Sequence, residues 1–315
     1  MSKAIPALFL VFVAATLSYA FSHRSGPPLP STEVQLTTTM MMSVAEVGDL
    51  RVGVGERGRI FREATPDAAW QSIKSPTEAT LTRVKLFNAK RGLAVGHDSI
   101  ILLTNDGGLT WSVTHDDPEY ETPLLDVVFV DADHAFAIGA YGLFMESKDG
   151  GKTWETRTIL PEGGDRHLNA IAKLGDGTLV IVGELGTLLR SADAGATWQH
   201  IESPYDGTLF GVTSVGATEV VGYGMRGKIV RSNDSGLSFV EINSPVTTSL
   251  FGSTLSESGQ LLLVGQSGEV LSSRDGGLTF SQSKIEGSPM LTSVMETAAG
   301  AIAFGEQGAH PISFN

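Results

Sequence analysis

Five aspartates recur along the chain: Asp106, Asp149, Asp193, Asp234 and Asp275. Each sits in a version of Ser-x-Asp-x-Gly-x-Thr-Trp, best preserved as SKDGGKTW at residues 147 to 154. Serial carboxylates suggest general acid–base chemistry or cation binding. Glycosidic hydrolysis needs two carboxylates facing one bond, and a repeated single carboxylate does not supply that pair. A calcium loop of the EF-hand kind gathers several oxygen ligands in one short segment, and that pattern is missing. The residue types do suit a folded turn. The Asp can accept from backbone N–H groups of its own turn, the glycine takes a backbone angle that other residues resist, and the aromatic offers a large packing face. Asp106 with Trp111, Asp149 with Trp154, Asp193 with Trp198, Asp234 with Phe239 and Asp275 with Phe280 are therefore read as structural, with no catalytic residue and no metal site among them.

Other chemistry is thin. The chain has no cysteine, which removes disulfides, thiolate metal sites and a cysteine nucleophile. No HExxH, G-x-S-x-G or P-loop occurs, and no cofactor is expected. DDPEY (116 to 120) and EGGDRH (162 to 167) are the richest acidic loops, and as isolated loops they read as solvated. The net charge of −13 argues against a nucleic-acid partner, which calls for a basic surface.

The elements that carry the boxes repeat too. The box aromatics stand at 70, 111, 154, 198, 239 and 280, in steps of 41, 43, 44, 41 and 41 residues, counting the worn copy EATPDAAW that ends at Trp70. A period near 40 to 45 is that of propeller blades. In the same phase run strand–turn–strand signatures such as VGERGRIFR (54 to 62) and VGELGTLLRS (182 to 191), each with a tight turn followed by a strand of alternating character. Short apolar runs such as LLDVVFV (124 to 130) open each unit. One unit is thus a four-stranded sheet, and radial repetition gives an all-β propeller. Six boxes are visible, and three more strands follow the last. EVQLTTT (33 to 39) is expected to supply the missing fourth strand, completing a seven-bladed ring over 33–315.

Residues 1–20 read as a signal peptide or an N-terminal membrane anchor: AIPALFLVFVAATL (4 to 17) is apolar, and Ser18 and Ala20 suit a cleavage site. Residues 21–32 read as a proline-rich linker. The propeller is then expected outside the cytoplasm, in a periplasm or a space like the thylakoid lumen.

The paired signatures, as in Ile138 to Trp154 and Val182 to Trp198, resemble the BNR/Asp-box propellers, and most closely the photosystem II stability/assembly factor family and its bacterial relatives. That resemblance implies a non-catalytic factor that holds a membrane-protein client on the exported side. The photosynthetic members are linked with an arginine-rich patch, whereas arginines here are scattered, so a transporter or exporter is as plausible a client. Asp-box propellers also include sialidases, and a sialidase-like glycoside hydrolase is the alternative. The Arg-Ile-Pro tripeptide that usually flags a sialidase is absent.

Starts of inner strands and turns of the strand–turn–strand signatures are expected to share one face. That face is expected to bring together Arg57, Arg59, Tyr120, Tyr141, Arg166, His167, Tyr205, Phe210, Met225, Arg226 and Phe251, with Glu119 beside them. Aromatics, Met and Arg are enriched at interface cores. The partner is expected to be a membrane protein or its complex, and the chain on its own a monomer.

Overall fold

The computed structural model describes residues 36–66, 68–119, 121–161, 164–297 and 300–312 and, of the leading segment, residues 9, 11–13 and 16–17. The chain divides into Met1–Val34 and Gln35–Asn315. In the first unit the described residues are helical. No helix among the described residues is long and apolar enough to cross a membrane.

The second unit is a seven-bladed β-propeller, each blade an antiparallel sheet of consecutive strands. Blade 3 runs from the axis outward as Leu124–Phe129, Ala135–Gly139, Phe144–Ser147 and Glu155–Thr156. The seven inner strands are Met41–Val47, Leu81–Leu86, Leu124–Phe129, Leu168–Lys173, Leu209–Ser214, Leu250–Leu255 and Leu291–Thr297. Each packs on the next, and the last packs on the first.

Second strands such as Leu179–Gly183 are buried along their whole length. Both of their faces are covered by neighbouring blades, so an uninterrupted apolar run is stable there. The third strands depart from the expected alternation for the same reason. Phe144–Ser147 and Ile101–Thr104 are buried throughout.

The boxes are the joints between blades. Ser147 Oγ donates to Asp149 Oδ1 at 2.9 Å, Thr153 N donates to the same oxygen at 2.9 Å, and Thr153 Oγ1 donates to Oδ2 at 2.7 Å. The turn then carries the aromatic into the preceding blade. Trp198 meets Phe136 and Phe144 of blade 3 edge-on at 6.3 and 5.6 Å. The box glycine is fixed twice over: Gly195 has φ +85°, and a Cβ there would lie 2.2 Å from the Phe136 ring. Even the worn copy keeps this joint, with Trp70 edge-on to Phe304 of blade 7 at 5.9 Å.

Inner strands present unpaired backbone groups to one another, and buried groups of that kind must find partners. Side chains supply them. Thr82 Oγ1 donates to Leu124 O at 2.7 Å, and Asn169 Nδ2 to Leu209 O at 2.8 Å. Ser43 Oγ accepts from Val84 N at 3.3 Å, and Asp126 Oδ2 from Ile171 N at 3.0 Å.

The ring closes through the same devices. Ser293 Oγ of blade 7 accepts from Val44 N of blade 1 at 3.2 Å, and Thr292 Oγ1 donates to Met41 O. Blade 7 has three strands among the described residues: Leu291–Thr297, Gly300–Gly305 and Gly308–Ile312. Of the strand expected at 33 to 39, residues 33–35 lie outside the described residues. Leu36–Thr38 forms a 3-10 turn beside the outermost of these strands.

Candidate functional site

The axial opening at the starts of the inner strands is the candidate partner face. Every inner strand carries a register shift between its first and third residues, a β-bulge repeated in all seven blades. A bulge re-aims the extra side chain. The bulged residues Met42, Thr82, Leu125, Asn169, Phe210, Phe251 and Thr292 all line one axial pocket of about 270 Å³. Met40 and Met290 complete its rim, and Arg83 reaches it from below. The Phe210 and Phe251 rings stand 5.4 Å apart. Flexible methionines around fixed aromatics make an adaptable apolar cup.

Beneath the cup the axis is polar. Arg83 Nε lies 3.2 Å from Asp126 Oδ1. Asp126 is buried and accepts Val127 N at 2.8 Å and Ile171 N at 3.0 Å. The Tyr223 ring passes over Gly211, where a Cβ would sit 2.2 Å from it, and its hydroxyl donates to Ser253 Oγ at 2.9 Å. Burial raises the Tyr223 phenol, and the Ser253 bond offsets part of that rise.

Around the cup stand the tips joining second and third strands. Their central residues have positive φ: Arg57 53°, Tyr141 54°, Leu185 52°, Arg226 56°, Ser267 61° and Gln307 65°, each followed by a positive-φ glycine. Blade 2 does the same with Asp98 and Ser99. Two successive residues of this kind define the type I′ turn, whose twist matches a hairpin. Tyr and Leu are poor choices for it, since a Cβ in the left-handed region costs roughly 1 kcal/mol. Yet Tyr141 is 66% and Leu185 62% exposed. These two strained, outward-facing apolar side chains stand on adjacent blades.

The structure divides the expected face into groups. Phe210 and Phe251 meet in the cup. Tyr141 stacks edge-on against His167 at 4.9 Å, His167 N donates to Glu184 Oε1 at 3.0 Å, and Arg166 Nη1 reaches Leu185 O at 3.5 Å, so this group spans blades 3 and 4. Tyr205 lies 5.8 Å beneath the Lys228 ammonium, near Met225 and Arg226 on the blade 5 tip. Arg57 and Arg59 occupy the blade 1 tip and join neither group. Tyr120 lies outside the described residues. Leu185 was legible as the apolar centre of VGELG, but the cup residues Met42, Leu125 and Asn169 depend on the bulge, which no residue type announces.

The box aspartates stand apart, at the ends of the third strands. Hydrogen bonds from the Thr197 hydroxyl, the Thr197 N–H and the Ser191 hydroxyl hold Asp193 down at about 2, and the Thr279 hydroxyl leads the same effect at Asp275, also about 2. At Asp149 burial acts upward, yet Thr153 and Ser147 bring it to about 2. Among the described residues no cluster of three or more metal-ligating side chains occurs.

A family model described as Photosynthesis system II assembly factor YCF48 matches residues 116–242, which hold blades 3 to 5. The chain resembles YCF48. A solved structure of YCF48 bound to D1 peptide has 18% identity and a TM-score of 0.67, covering 91% of this chain and 98% of its own. YCF48 from Cyanidioschyzon merolae has 13% identity and a TM-score of 0.68, covering 90% and 96%. The WD40 propeller domain of Doa1 is similar at 12% identity and a TM-score of 0.66, covering 86% and 91%. No curated protein matches the chain. At these identities the YCF48 and Doa1 structures establish a shared propeller fold.

Proposed function

We propose that the chain is a non-catalytic scaffold whose cup-bearing face holds a segment of a membrane-protein client during assembly. The observation that carries this reading is the cup itself: seven bulged inner strands deliver one side chain each into a single apolar opening, flanked by the exposed Tyr141 and Leu185. The match of blades 3 to 5 to the YCF48 family model supports it, as does the D1 peptide held by one solved YCF48.

The exposed tip arginines Arg57 and Arg226 belong to blades 1 and 5 and form no single patch. The client segment is therefore one rich in apolar or aromatic side chains, from an envelope complex such as a transporter or exporter. The apolar leader at 4 to 17 supports work on the exported side, by a chain that is monomeric without its client. The hydrolase alternative gains nothing from the site. The cup lining carries no carboxylate, Asp126 below it is occupied on both oxygens, and the box aspartates are locked in their turns.

Affinity capture from gently solubilised native membranes tests this proposal. Wild type should retain a membrane protein at near-equal amounts. The variant carrying Y141A, L185A and F251A should lose it, since buried apolar anchors are worth about 2 kcal/mol each at interface centres. Equal capture by this variant, with unchanged thermal stability, would sink the proposal.

A further inference from the structure

The axis has a second opening, at the far ends of the inner strands on the side that carries the boxes. It is a recess of about 330 Å³ lined by the inner strands of blades 2, 3, 4 and 5. Lys85 and Lys173 both line it, with Thr213 beside them, and no carboxylate does. In a chain of net charge −13 this is an unusual concentration of positive charge.

Lys85 is the unusual member. Alternation along Leu81–Leu86 puts it on the same side as Arg83, toward the axis. Water reaches the side chain, yet the inner strands wall it in, and burial pushes its ammonium below the ordinary range. Asp126 attracts it and Arg83 repels it. Among the described residues Lys85 has no hydrogen bond and no ion pair. Asp126 cannot serve it fully, because its oxygens already take Arg83, Val127 N and Ile171 N. Lys173 donates to Val130 O, which leaves two of its three N–H groups. The Thr213 hydroxyl has no partner among the described residues, whereas Ser214 already donates to Gly216 O. Two ammonium groups, one of them without a protein partner among the described residues, and one hydroxyl thus line the same recess.

We propose that this recess binds a small free oxyanion of the phosphate class, held by Lys85, Lys173 and Thr213. Charge-assisted hydrogen bonds to an oxyanion are the arrangement these donors lack. The site lies at the other end of the axis from the cup, so it stands or falls independently of the client-binding reading.

Calorimetric titration of the full chain with inorganic phosphate, at constant ionic strength and with chloride as the competing anion, tests the proposal. Saturable binding of one phosphate is expected. K85M and K173M should each weaken it about tenfold, the loss expected for a hydrogen bond to a charged group. F251A, at the opposite opening, should bind as wild type does. Since Lys85 has no hydrogen bond or ion pair to lose among the described residues, K85M should fold normally, which a thermal melt verifies. Absent saturation, equal binding of chloride, or unchanged affinity in both lysine variants would each overturn the proposal.

Discussion

Each box aspartate accepts hydrogen bonds that only its ionised form accepts fully, and this makes the boxes acid-sensitive. Asp149, Asp193 and Asp275 sit at about 2 in the folded chain, against an ordinary 3.8. A carboxylate depressed on folding stabilises the fold above its unfolded value and ceases to do so as pH falls through the folded value. The melting temperature should therefore fall from about pH 4 toward pH 2. A variant with D149N, D193N and D275N should begin lower and show a shallower fall, measurable by calorimetry across that range. A profile parallel to wild type would show that these bonds do not set the acid limb. The role of these residues was legible in the sequence because the whole device is local: acceptor, glycine, hydroxyl and aromatic lie within eight residues.

At the scale of the element, the tight turns were legible, but what they display was only partly so. Glycine at the second turn position of VGELG and IGAYG announces the turn. The preceding Leu185 and Tyr141 are the costly part, since glycine would fit there without strain. L185G should raise stability by about 0.5 kcal/mol, the relief of strain being offset in part by the extra freedom of glycine in the unfolded chain. The same variant should weaken client capture. Urea unfolding and affinity capture together check this, and a variant that loses stability would show that Leu185 is held by packing instead. The bulges tell the opposite story. Leu125 reads as an ordinary second residue of an apolar strand, and Phe210 and Phe251 were expected on the face only from their place at strand starts. Their turn toward the axis arises because the inner strand must bend where it meets six others, a constraint set by the closed ring and not by neighbours in sequence.

The closed ring has one interface unlike the rest. The peptide chain runs directly from each blade into the next, whereas blades 7 and 1 meet only through contacts. Trp70 on Phe304, Ser293 with Val44 and Thr292 with Met41 form that seam, and Leu36–Thr38 lies at the outer edge of blade 7. Breaking it costs no covalent link and leaves every blade's own sheet intact, so the seam is where a propeller can open without unfolding. W70A and W198A remove the same side chain from equivalent joints, each costing about 3 kcal/mol. Their effects should nonetheless differ in place. In W70A, native-state hydrogen exchange should quicken in Met41–Val47 and Leu291–Thr297 while blades 3 to 5 keep their protection, because low-energy opening is confined to the weakest cooperative unit. In W198A the lost joint is backed by the connecting chain, and protection should fall around the whole ring together. Equal patterns in the two variants would mean that the seam is as cooperative as any other joint, and that Leu36–Thr38 and the inner-strand hydrogen bonds suffice to make the ring continuous.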